Sequence, residues 1–182
     1  MALSPDEAAQ ALSEIAAAET RSRTAYGYLV GGSYLILWGI IWVVCYSLVD
    51  FRPAAVSTIW LVGCAIGIAG SVILGRRRGE RPERRGWRAF VPATGYVVFT
   101  FLLLNILHPH SIEESSIAIA LVVSLAYVQI GVHLGDRLVL IGAGLAALSL
   151  AGYFWIPLHF HLYMAFVGGG SMILAGFWLR RV

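Results

Sequence analysis

The chain has 182 residues, of which 59% are hydrophobic and 13% charged, and its mean hydropathy is +0.78. Soluble domains carry about 25% charged residues, so this chain cannot cover a water-facing surface, and lipid is its solvent. The net charge of +3 does not point to nucleic acid. All 13 basic residues are Arg and they fall in short segments between apolar runs, where charge sets membrane topology.

Residues 1–23 read as a cytoplasmic amphipathic helix that precedes a membrane domain over 24–182. Ser4-Pro5-Asp6-Glu7 is a start signal: Ser4 caps, Pro5 suits the first helical position, and Glu7 completes a capping box. The segment is Ala-rich, with Leu12 and Ile15 as its sizeable apolar residues. Its apolar face is therefore too weak to anchor it strongly in a bilayer surface. Asp6, Glu7 and Glu14 stand where a secretion signal carries Lys or Arg, so no signal peptide is expected.

Six apolar spans follow, over 25–49, 54–75, 88–107, 113–134, 138–156 and 159–179. Each has roughly the 20 residues that a helix needs to cross the hydrocarbon core. They are continuous rather than alternating, which makes them helices and not barrel strands. The expected fold is all-α: a polytopic six-helix membrane protein, arranged as three helical hairpins in series. The hairpin repeat rests on small residues at matching places, Gly63, Ala69 and Gly70 in the second span and Gly169, Ala175 and Gly176 in the sixth. Cys45 and Cys64 lie in the first two spans. A rise of about 1.5 Å per residue sets them roughly 10 Å apart in depth, too far for a disulfide.

Six crossings put 12 of the 13 arginines on one side and leave only Arg52 on the other. The positive-inside rule makes the Arg-rich side cytoplasmic, with both termini there and a bacterial inner (plasma) membrane around the spans. Arg76, Arg77, Arg78, Arg84 and Arg85 in the second loop also form a candidate surface for lipid head groups.

Between the interfaces there is no Asp, Glu, Lys or Arg, which argues against a voltage sensor or a proton-coupled pump. Small residues four apart recur at Gly27 and Gly31, at Gly63, Gly67 and Ser71, at Gly131 and Gly135, and at Gly142 and Ala146. Such stripes let helix backbones approach, within the bundle or against a second copy or partner subunit. Gly168, Gly169 and Gly170 fall in the middle of the sixth span. Three glycines weaken a helix where lipid offers no hydrogen bond. This segment either breaks and lines a solute path or forms a groove for a neighbour such as Trp38 or Trp42. Gln129 is the deepest amide and the candidate solute contact. Asn105 lies at the outer end of the third span.

The histidines cluster on the outer side as His108-Pro109-His110 and His159-Phe160-His161. In extended backbone, residues two apart point the same way. His108, His110, His159 and His161, with Glu113, are thus candidate ligands for zinc or copper. If His159 and His161 are already helical they diverge by about 200°. Ser111 and Glu114 read as the capping box of the fourth helix. A haem is not expected, because its ligands belong inside the bundle. No catalytic motif is present, so an enzyme is not the expected class. The leading expectation is a transporter or channel component for a small solute or ion. The alternatives are a metal-binding sensor or handler and a non-catalytic assembly or lipid-interacting subunit.

Overall fold

The structure, a computed structural model, describes residues 5–77 and 82–181, and the side chains at 5, 7, 8 and 82–93 lie outside that description. All regular elements among the described residues are helical. Helix α1 runs from Pro5 to Phe51, 47 residues without interruption. At about 1.5 Å per residue it is roughly 70 Å long, against ~30 Å of hydrocarbon. The Ala-rich segment and the first span are therefore one rod. The change in composition near Arg23 marks where charge gives way to apolar residues, and no proline or glycine between Asp6 and Tyr26 stops the helix. The expected cap at Ser4 and the Glu7 side chain lie outside the described residues.

A tight turn at Pro53–Ala55 leads into α2 (Val56–Arg77), followed by α3 (Pro82–Leu107). Helix α4 (Ile112–Leu134) starts at Ser111, whose side chain accepts from the Glu114 amide. Glu114 in turn accepts from the His110 amide at 2.7 Å, one residue before the cap, so it closes the turn on the residue preceding Ser111. Gly135 joins α4 to α5 (Asp136–Trp155) in a single residue at φ 132°, which only glycine adopts without strain. After a turn at Pro157–His159, the last helix comes in three pieces: α6 (Phe160–Tyr163), a π-helical stretch Met164–Gly169, and α7 (Gly170–Leu179).

Among the described residues, five helices are long and apolar enough to cross a membrane: Ala9–Phe51, Pro53–Arg77, Ile112–Leu134, Asp136–Trp155 and Pro157–Leu179. Helix α3 has 26 residues, about 39 Å in length, and its described apolar run is Thr94–Leu107. The protein is thus an all-α polytopic membrane protein of six main helices.

Two seams of small residues organise the bundle. The first joins α1 to the last helix, antiparallel. A Cβ on Gly39 would lie 2.8 Å from the Gly169 carbonyl oxygen, and one on Gly169 would lie 2.9 Å from that of Gly39. Gly32 and Gly176 meet in the same reciprocal way, at 2.6 Å in both directions. Within each helix the two glycines are seven apart, two turns along one face. Backbone therefore packs directly on backbone, as dispersion-driven association in lipid favours. The second seam joins α4 to α5. A Cβ on Gly142 would meet the Ser124 carbonyl at 2.6 Å, and one on Gly131 would meet the Val139 amide at 2.5 Å.

Together α1, α4, α5 and the last helix enclose the core, which contains Leu35, Trp42, Tyr46, Ala120, Leu145 and Met172. Helices α2 and α3 lie outside it, α2 packed on α1 and α3 on α4. Consecutive helices do pair, yet the closest approaches are first with last and fourth with fifth. Helix α2 offers Gly63 to the Cys45 thiol, Gly67 to Trp38 at 2.7 Å, and Gly70 to Leu37 at 3.0 Å. Cys45 thus faces the residue beside Cys64, which corrects the depth difference expected between the two cysteines. Counted from the turn, Cys45 stands six residues before the end of α1 and Cys64 eight residues into α2, so the two lie at similar levels. Both remain free thiols.

Candidate functional site

The bundle has chemically distinct ends. At one end, Arg137 stacks over Tyr28 at 5.7 Å and over Trp178 at 5.0 Å, and Leu134 reaches Gly27. This brings Arg21, Arg23, Arg137, Arg180 and Arg181 to one face, with Arg76 and Arg77 at the same end of α2. Arg78, and the side chains of Arg84 and Arg85, lie outside the described residues. Arg52, Glu113 and the histidines of the two His-x-His segments lie at the opposite end.

That opposite end contains a polar cluster built from three helices. His161, in the first turn of α6, is only 6% exposed. Its Nδ1 lies 3.8 Å from Glu113 Oε1, in the first turn of α4. Its Nε2 is buried without a hydrogen-bond partner. Asp50, in the last turn of α1, adds a second carboxylate that acts on the imidazole. The Tyr46 ring lies 6.1 Å from the His161 ring, and its hydroxyl meets the Ser116 side chain. Tyr46 also stands edge-on to Trp42 at 5.5 Å and to Trp60 at 5.0 Å. An imidazole that turns Nδ1 toward a carboxylate presents Nε2 as a lone pair for a donor or a cation.

Placing the other sequence candidates alters their standing. His108 is exposed and takes φ 45° ahead of Pro109. His110 is exposed and pairs with Glu114, Nδ1 to Oε2 3.7 Å. His159 is exposed while His161 is buried, because the helix begins at Phe160 and turns the two rings apart. The four histidines therefore do not converge. Among the described residues no three His, Cys, Asp or Glu side chains are placed to hold a metal ion.

Gly168–Gly170 do not face a polar cavity. Gly169 is filled by the backbone of α1 at Gly39 and Val43, Gly168 has Trp42 at 3.6 Å, and Gly170 has nothing within 4 Å. Ser171 donates to the Gly168 carbonyl at 2.8 Å, supplying a donor where the wide π turn ends. Trp38 packs on Gly67 of α2 instead. Gln129 is exposed and accepts from the Tyr96 hydroxyl, which ties α4 to α3. Asn105 donates back to the Phe101 carbonyl at 2.7 Å within its own helix. An apolar groove of about 130 Å³ between α5 and α7 and a cleft of about 320 Å³ at the Arg-rich end stay clear of His161.

Sequence reasoning missed Tyr46, Asp50 and Ser116. The signal was available in part. Buried Phe160, Met164, Ala165, Gly168, Met172 and Gly176 recur at three- and four-residue spacing, and His161 belongs to that inward stripe. Ser116 likewise follows Glu113 by three on α4.

No family model, no curated protein and no solved structure matches this chain. The fold defines its class: a polytopic α-helical membrane protein, with a cluster of His161, Glu113 and Asp50 at one end of the bundle.

Proposed function

We propose that this chain is a component of a small membrane transporter or channel and that its outer mouth receives a small cation. The observation that carries the reading is the buried His161 Nε2, unpartnered, beside Glu113 and Asp50. A lone pair held out of water beside two carboxylates is costly unless something positive or hydrogen-bond-donating comes to it. The neighbouring π-helical stretch supports the same reading, since such stretches gather at functional positions. Because neither cleft reaches the cluster, a second copy of this chain completes the path. The outer faces of α2 and α3 are where it docks. On this reading the Arg-rich face is cytoplasmic in a bacterial inner membrane.

The test is reconstitution of the full chain in vesicles loaded with potassium or with a pH-sensitive dye. Potassium, sodium or proton flux should exceed that of empty vesicles, and His161→Ala should reduce it about tenfold, the scale of one well-placed charged hydrogen bond. Fluxes of all three ions equal to those of empty vesicles would refute the reading. A non-catalytic assembly role is favoured instead by one observation: the fully buried residues of α2 are Gly63 and Gly67, and more than half of the helix is exposed.

A further inference from the structure

We propose that the cleft between the projecting part of α1 and the end of α4 binds the head group of an anionic phospholipid. This inference is independent of the transport reading. The cleft measures about 320 Å³ and is lined by Glu19, Thr20, Arg23, Thr24, His133 and Leu134, among others. Its level in the membrane follows from the chain. Charged residues end at Arg23, and directly beyond it Tyr26 and Leu29 are 53% and 45% exposed on α1. On α4, Ile130 and Val132 are likewise exposed just inside His133. Apolar side chains for acyl tails thus lie on one side of the cleft, and charged groups line it. Phosphates of a bilayer occupy this boundary.

The chemistry suits a phosphate that carries a hydroxyl-bearing substituent. Arg23 is held by Glu19, Nη2 to Oε1 3.1 Å. That contact occupies one of five guanidinium N–H donors and fixes the fork that phosphate oxygens prefer. His133 offers a ring N–H from across the cleft. Thr20 donates to the Ala16 carbonyl at 2.9 Å, so its oxygen serves only as an acceptor. Glu19 and Thr20 can accept from head-group hydroxyls while Arg23 and His133 hold the phosphate. Among the described residues Arg21, Arg76, Arg77, Arg137, Arg180 and Arg181 join Arg23 at this end and outnumber its acids, Asp6, Glu7, Glu14, Glu19 and Asp136. The potential there attracts negative charge. A phosphatidylglycerol head group has the required charge, hydroxyls and tether.

Native mass spectrometry of the full chain in detergent, titrated with phosphatidylglycerol, phosphatidylcholine or phosphatidylethanolamine, tests this. Phosphatidylglycerol should bind about tenfold more tightly than either of the others. The Arg23→Gln/His133→Gln double variant should lose that preference, and Arg181→Gln should keep it. Both altered side chains are exposed, so the fold is not at stake. Equal affinity for the three lipids overturns the proposal, as does unchanged phosphatidylglycerol binding by the double variant. Displacement of the lipid by equimolar glycerol 3-phosphate overturns it too, because the ligand would then be a free phosphate.

Discussion

Replacing Gly169 by Ala tests the seam between α1 and the last helix. The added Cβ would stand 2.9 Å from the Gly39 carbonyl oxygen, 2.9 Å from the Val43 amide nitrogen and 2.8 Å from Val43 Cγ2. Ordinary contact begins near 3.4 Å, so the helices must separate by 0.5 Å or more at this level. Two of the three obstacles are backbone and cannot rotate away. The reciprocal Gly32–Gly176 contact, two turns along, holds the same pair of helices at the same spacing, so relief at one level strains the other. Overpacking of this kind costs about 1–3 kcal/mol, and Leu at 169 should exceed that range. Gly170→Ala is the control. No heavy atom lies within 4 Å of its Cβ position, and Ala gains up to about 1 kcal/mol in helix propensity. Unfolding in mixed micelles, followed by tryptophan fluorescence, should rank Gly170→Ala at or above the native protein, then Gly169→Ala, then Gly169→Leu. A Gly169→Ala protein as stable as the native one, with Gly170→Ala destabilised, would refute direct backbone packing here.

Two further outcomes are expected. With Cys45 and Cys64 replaced by Ser, an impermeant thiol reagent added outside intact cells should label His110→Cys and spare Ser13→Cys, and the reverse pattern would overturn the proposed orientation. Gly135→Ala should cost roughly 1–3 kcal/mol in the same unfolding assay, because the residue sits at φ 132° and its Cβ would overlap the Tyr28 hydroxyl; a loss below about 0.5 kcal/mol would show that the α4–α5 link relaxes freely.

Much of the architecture was legible because lipid imposes it. Each span had to satisfy its own backbone, so apolar run length alone located the helices, and Ser111 with Glu114 announced the start of α4. What the sequence concealed was register. A change in composition at Arg23 looked like a boundary, although helix propensity continues through it. The three glycines at 168–170 drew attention to themselves, yet their significance depends on Gly39, 130 positions earlier, and no local pattern links the two. Likewise His159 and His161 look equivalent as letters. They separate only when the start of the helix at Phe160 is known, which sends one ring to the surface and the other beneath Tyr46.

The unbroken length of α1 has a mechanical consequence. One rod carries Tyr46 and Asp50 beside His161 and Glu19 and Arg23 at the opposite, Arg-rich end. A tilt of about 10° about its middle would sweep each tip of a ~70 Å helix through roughly 6 Å. The two ends of the bundle are thereby geared to one lever, and whatever clamps the projecting arm also limits how far the His161 end can swing.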